Sequence, residues 1–281
     1  MMRPALFVAL IGAAPLLAAC GPTSTSEPAK TEVEAPEVPP VAAKPEPPKN
    51  GPEGLVPSVL ETQAALKSSG IDTELATLIE PRTYDLSADA KDRAAVRTGV
   101  VLADMLLTVT TSSGEHLHTQ LATLRKGMEQ LDSGSDIDRM IRDFEESVAA
   151  DSVTREELLS EFDQLSGAVI PELEFNGNER IVPLISAGSW LEGTHLVAQA
   201  LSAVDADKRT DADKLLKAPD VVEYFQKYVA AEGADKAPEP VAAQLKATLG
   251  ALHSHAQKAG PLDDDELAQV AKTTSDVLSL L

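Results

Sequence analysis

Ile181 to Val204 reads IVPLISAGSWLEGTHLVAQALSAV, and the reading of this stretch decides the fold. Its single formal charge is Glu192, and it carries the only tryptophan of the chain, Trp190. A helix that is apolar nearly all round either lies at the centre of a bundle or spans a membrane. The stretch is long enough to span, at about 1.5 Å of rise per residue. However, Pro183, Gly188, Glu192, Gly193, His195 and Gln199 make it a poor lipid-facing segment. The expectation is therefore a central, buried helix, capped by Asn178 and running to about Val204. Gly188 and Gly193 each cost about 1 kcal/mol relative to alanine inside a helix, which predicts close approach of another helix there.

Outward from this stretch, every apolar pattern after Pro57 has the helical period and none alternates like a strand. Ser58-x-x-Glu61 has capping-box spacing and opens a helix that closes at Gly70. Asp72 starts a short helix that stops before Pro81, and Ser87 begins the longest element. There Val100, Ala103, Leu107, Thr110, Gly114, Leu117, Leu121, Leu124, Met128 and Leu131 keep a 3,4 register without a slip. This favours one long helix, kinked at Gly114; the capping-box spacing of Ser112-x-x-Glu115 keeps a two-helix alternative open. Ile137, Ile141, Phe144 and Val148 mark the next helix. Leu158, Phe162, Leu165 and Val169 mark another, capped by Thr154 with Glu157 and ended by Asn176-Gly177. After the central helix, Asp220 caps a helix with Val222, Phe225 and Val229, and Pro240 begins one with Leu245, Leu249 and Leu252. Asp263 to Glu266 suit the positive end of a last helix bearing Leu267, Val270, Thr274, Val277 and Leu281. The expected fold is all-α: a multi-helix bundle over residues 58–281, with one long helix and one central apolar helix.

Residues 20–57 have a different composition. Ten of the 19 prolines fall between Pro22 and Pro57, with Glu, Lys, Ala, Ser, Thr and Val between them and no aromatic residue. Such a segment buries too little apolar surface to offset its ordering entropy, so it reads as a disordered tether. It reaches about 115 Å if polyproline-like or about 35 Å as a flexible coil. A Pro-rich recognition segment is the alternative reading. The formal charge of −21 argues against nucleic acid and anionic lipid headgroups as partners, because both repel an acidic chain.

Residues 1–19 hold Arg3, an uncharged run from Ala5 to Ala19 and small residues leading to Leu17-Ala18-Ala19-Cys20-Gly21. This is the layout of a secretory leader and is short for a bilayer span. Leu17 to Cys20 resembles the lipobox of bacterial lipoproteins. That resemblance implies cleavage before Cys20 and acylation of Cys20, whose acyl chains then hold the protein to membrane. A secretory peptide with a chance cysteine is the alternative. Cys20 is the only cysteine, so once acylated it leaves no thiol for a disulfide. Gly21 stands where an Asp resembles an inner-membrane retention signal, so the expected location is the outer membrane, facing the periplasm or the cell surface. Ala187-Gly188-Ser189-Trp190-Leu191-Glu192-Gly193, preceded by Asn178-Glu179-Arg180, resembles a motif of uncharacterised all-helical lipoproteins of Bacteroidetes-type bacteria. Gly99-Val100-Val101-Leu102-Ala103-Asp104 resembles a second motif of that family. The resemblance covers about residues 90–281, implies a periplasmic or surface helical lipoprotein, and brings no known reaction. His116, His118 and His195 lie outside the family pattern.

Chemistry-bearing residues are few. Glu115 with His118, and Glu192 with His195, are Glu-x-x-His pairs of the kind that help build di-metal carboxylate sites in four-helix bundles. Glu115 points outward if Gly114 and Leu117 face the core, and no other stripe holds a carboxylate, so no metal or cofactor is expected. Ser189 lacks a nucleophile-elbow frame, no phosphate loop is present, and no catalytic residue is assigned. His253 and His255 read as solvent-facing. Ile185, Gly188, Glu192, His195 and Gln199 share one helix face beside the apolar stripe Leu184, Ala187, Leu191 and Ala198, so Glu192 is expected to be buried. A buried carboxylate needs a partner. His195 is the expected one, with Asp104 completing a polar cluster if the two helices meet at Gly188. Asp104, Trp190, Glu192 and His195 are the candidate ligand-binding residues. The expected role is an interaction or scaffold module with a protein partner in the envelope. The alternatives are a binder of a small apolar molecule or lipid beside Trp190, or a metal site at Glu192 and His195.

Overall fold

The computed structural model describes residues 54–82, 86, 90–150, 153–209, 212–230 and 239–280. The leader, Cys20 and most of the tether therefore lie outside the described residues. Among those described there are nine α-helices and no strand. They are α1 (Val59–Ser68), α2 (Lys91–Thr108), α3 (Gly114–Gln130), α4 (Ser135–Ala150), α5 (Arg155–Phe175), α6 (Val182–Ser202), α7 (Pro219–Tyr228), α8 (Glu239–Ala256) and α9 (Asp264–Leu280). Three short 3₁₀ turns join them, at Leu75–Leu78, Ala206–Lys208 and Ala212–Leu216. The chain is an all-α multi-helix bundle.

Helix ends follow local chemistry. Ser58 and Glu61 form a reciprocal cap at 2.8 and 3.2 Å, Thr154 and Glu157 another at 2.7 and 3.2 Å, and Asp263 and Glu266 a third at 2.8 and 2.9 Å. Each satisfies two backbone N–H groups that a helix start leaves without partners. α5 ends as expected at Gly177, whose φ of 77° lets Asn178 N–H turn back to Leu173 O at 2.8 Å. Other expected starts shift. α6 begins at Val182 rather than behind Asn178, and α7 begins at Pro219 with no side-chain cap from Asp220. The segment after Asp72 is only the 3₁₀ turn Leu75–Leu78, and Ser87 lies outside the described residues. The packed domain also reaches back past Ser58, because Leu55 and Val56 are half-buried against the core.

The expected long helix is two helices. α2 stops at Thr108, Thr111 N–H and Ser112 N–H both turn back to Thr108 O, and Ser113 caps α3 by accepting from His116 N–H at 3.2 Å. Thr110-Thr111-Ser112-Ser113 is a run of poor helix formers whose hydroxyls compete for backbone groups. The apolar register survives the turn because α2 and α3 pack side by side on the same core. Gly114 is exposed, with nothing within 4 Å of where a Cβ would sit.

α6 is the centre, as its composition predicts. It packs against α1, α2, α5, α7 and α9 and against two of the 3₁₀ turns. α2, α3, α4 and α5 pack each on the next along one side, α7, α8 and α9 along the other, and α6 joins the two runs through α2 and α9. Its C-terminus is closed by Arg209, 2% exposed, which donates to Leu201 O and Val204 O at 3.3 and 3.2 Å and pairs with Asp264 at the start of α9. A guanidinium there meets the negative end of α6 and its last carbonyls at once. Among the described residues no helix is long and apolar enough to cross a membrane.

α2 and α6 meet backbone to backbone. A Cβ placed on Gly188 falls 2.0 Å from Val96 O, and one placed on Gly99 falls 2.0 Å from Ile185 O. Neither atom is the movable end of a side chain, so only glycine fits at either position. Gly193 is different: the nearest atom to its added Cβ is Val59 Cγ1 at 3.4 Å, an ordinary contact from α1. Gly188→Ala is therefore expected to destabilise the domain by about 2–4 kcal/mol, and Gly193→Ala to be near neutral or mildly stabilising. Urea denaturation followed by circular dichroism measures both.

Candidate functional site

The glycine crossing sets the site. Asp104 lies five residues beyond Gly99 on α2, Glu192 four residues beyond Gly188 on α6, and the two carboxyl groups share one guanidinium, that of Arg82. Arg82 comes from the segment between the turn Leu75–Leu78 and α2. Its Nη2 pairs with Glu192 Oε1 and stands 3.8 Å from Asp104 Oδ1. Glu192 is fully buried and Asp104 is 8% exposed.

Two largely buried carboxyls and one guanidinium leave one negative charge in excess if both acids ionise. The surroundings favour a proton on one of the two acids. Burial pushes the carboxyl of Asp104 well above its ordinary value, the charge of Glu192 pushes it the same way, and Arg82 opposes only in part. Neutral Asp104 beside the Glu192–Arg82 pair is the arrangement with the least uncompensated charge.

Glu192 is partnered by Arg82 and not by the expected His195. On a helix, residues three apart differ in direction by about 60°, and α6 is enclosed on all sides, so the two side chains reach different neighbours. His195 turns to α9, where Nδ1 lies 3.0 Å from Ala271 O and 3.1 Å from Thr274 Oγ1. Its Nε2 takes a hydrogen bond from Gln199 at 3.0 Å, so the proton sits on Nδ1 and donates to Ala271 O. Burial lowers the His195 pKa, in keeping with that neutral ring.

Trp190 also stands apart from the carboxyl cluster. Its ring lies 5.3 Å from that of Phe225, and the space among Leu184, Leu191, Phe225 and Leu249 amounts to only about 10 Å³. That region is packed core with no room for a ligand. The two Glu-x-x-His pairs do not converge either, since Glu115 and His118 are exposed on α3. Among the described residues no group of three or more His, Cys, Asp or Glu is placed to hold a metal ion. His255 is buried, against expectation, because it lies three residues beyond buried Leu252 on the face that α8 turns to the bundle; His253 is half-exposed and bonds Gln257 at 2.9 Å.

Open space lies on the other side of Asp104. A cleft of about 410 Å³ runs between α2, α3 and the segment Ala76–Arg82. Val101, Asp104 and Thr108 form one wall, His116, Thr119, Gln120 and Thr123 a second, and Ile79, Glu80, Pro81 and Arg82 a third. The volume is within the range of small-molecule sites. Arg82 and Gln120 are the site residues that sequence reasoning missed. The requirement for a cation beside a buried Glu192 was readable, but nothing in the sequence singles out Arg82 from the other basic residues.

Compared with known protein families, with curated proteins and with solved structures, the chain matches none.

The raised pKa of Asp104 has a measurable consequence. A carboxyl whose pKa rises on folding contributes stability that is complete below its unfolded value, about 3.8, and is lost as pH rises through the folded value. His195, lowered by folding, acts in the opposite sense below about 6.5, so the comparison is between two proteins that both retain it. Asp104→Asn, which mimics the protonated acid, is expected to match the wild type near pH 4 and to exceed it near pH 8. Thermal denaturation across that range reads the difference, and a constant gap at all pH values contradicts the assignment.

Proposed function

We propose that this chain is a lipid-anchored binding module of the bacterial envelope. Acyl chains on Cys20 hold it to the outer membrane, the chain from residue 21 up to the packed Leu55 acts as the spacer, and the helical domain takes a small molecule into the cleft beside Asp104. The observation that carries the reading is a cleft of about 410 Å³ standing directly over a buried, guanidinium-clamped carboxyl pair. A charged cluster of this kind is costly to keep in a bundle whose core is otherwise filled, which points to use rather than to stability. An apolar ligand beside Trp190 has less support, because that space is filled by side chains. A protein-docking role also has less support. The exposed large apolar side chains among the described residues are Phe175 and Leu280, short of the contiguous patch such a surface uses.

Two experiments test the reading. Cys20→Ala is expected to leave unprocessed or soluble protein in cell fractionation; a variant that sediments with the outer membrane like the wild type contradicts the anchor. Native mass spectrometry of the wild-type protein released from mild detergent is expected to show a small non-covalent adduct. Thr119→Trp, which fills the cleft, is expected to lose it. An adduct retained by that variant places binding elsewhere.

A further inference from the structure

The hydrogen-bonding character of the cleft identifies a ligand class. Three threonine hydroxyls line it, and each has already spent its proton on its own helix. Thr108 Oγ1 donates to Asp104 O at 2.7 Å, Thr119 Oγ1 to Glu115 O at 3.0 Å, and Thr123 Oγ1 to Thr119 O at 3.0 Å. What these groups have left for a ligand is acceptor lone pairs. Gln120 Oε1 and Asp104 Oδ1 are buried acceptors with no hydrogen bond from the protein. A buried acceptor without a donor costs about 1–3 kcal/mol, so two beside one cleft favour a molecule that brings N–H or O–H groups.

Charge decides between the two kinds of donor. Among the described residues, the charged and titratable groups that face Asp104 or line the cleft are Glu80 and Arg82 from the covering segment, His116 from α3, and Glu192 and, more distantly, His195 from α6. The guanidinium of Arg82 pairs with Glu192 and stands 3.8 Å from Asp104 Oδ1, so one cation serves both carboxyls. With Asp104 ionised, the Asp104–Glu192–Arg82 group is short of one positive charge, and Glu80 at the rim adds to the deficit. A neutral hydroxyl donor satisfies the acceptors and leaves that deficit; an ammonium group satisfies both. Ile79, Pro81, Val101 and Ala76 give the cleft an apolar portion on which carbon can rest.

We propose that the cleft receives a small organic ammonium ion, its N–H groups held by Asp104 and Gln120 and its carbon chain lying on Ile79, Pro81 and Val101. The inference rests on the reading of the cleft as a binding site and adds the ligand class. Binding releases the proton of Asp104 to solvent, because the incoming cation supplies the charge that the proton had supplied. Affinity therefore rises with pH through the raised pKa of Asp104 and levels off above it.

Ligand-observed NMR on the acylated protein in neutral detergent, with protein-free detergent as blank, tests this using n-butylammonium and its neutral isostere n-butanol. The expected result at pH 8 is a Kd for n-butylammonium at least about tenfold below that for n-butanol. The preference is expected to shrink as pH is lowered, to vanish in Asp104→Asn, and to weaken several-fold in Gln120→Leu, which leaves the carboxyl pair intact. Equal binding of the two probes, or a preference that survives in folded Asp104→Asn, overturns the ammonium assignment and leaves the cleft a binding site. Absence of any signal that Thr119→Trp abolishes, for both probes, overturns the binding reading and this inference with it.

Discussion

The interaction on which the rest depends is the direct meeting of the α2 and α6 backbones at Gly99 and Gly188. With either glycine replaced, a Cβ would stand 2.0 Å from a carbonyl oxygen of the other helix, so the helices would have to separate. Close approach of backbones gives dense packing over a small area, and packing density is what a protein interior trades on. It also fixes the relative position of everything carried on the two helices. Asp104 and Glu192 are neighbours because the crossing lies one turn away from each.

That proximity creates a problem the fold then solves. Two acids buried side by side repel one another and lose most of their hydration, and a bundle gains nothing from them in stability. Arg82 pairs with one, and burial beside that pair favours the protonated form of the other. The segment that delivers Arg82 is held down at Gln63, whose amide donates to Thr73 O at 3.0 Å and accepts from Leu75 N–H at 2.7 Å. The same segment forms one wall of the cleft, so the cation that balances the buried charge and the covering of the cleft are delivered by one piece of chain. Its wall opposite is α3, which owes its position to the turn at Val109–Ser113 that a continuous helix would not have made.

Much of this was legible in the sequence. The helical period, the Ser58 and Thr154 caps, the acidic first turn of α9 and the central place of α6 all follow from local rules that tertiary contacts did not override. The close approach at Gly188 and the burial of Glu192 followed from the cost of glycine and of charge inside an apolar helix. What was not legible was long-range or depended on direction. The uninterrupted 3,4 register through Thr110–Gly114 disguised a turn, because two helices packed on one core satisfy the same pattern as one helix. The side chains of Glu192 and His195 share a face on a helical wheel, yet α2 and α9 draw them to different partners. Arg82 lies in a segment without periodicity, where a sequence gives no sense of which way a side chain turns.

The central claim is that the crossing buries a carboxyl pair which keeps one proton beside the Glu192–Arg82 ion pair. The most direct measurement is the carboxyl ¹³C chemical shift of Asp104 followed through a pH titration. The account predicts that Asp104 remains protonated well above the ordinary aspartate value of about 3.8 and that its midpoint falls when Glu192 is replaced by Gln. A midpoint near the ordinary value, insensitive to Glu192, would contradict it.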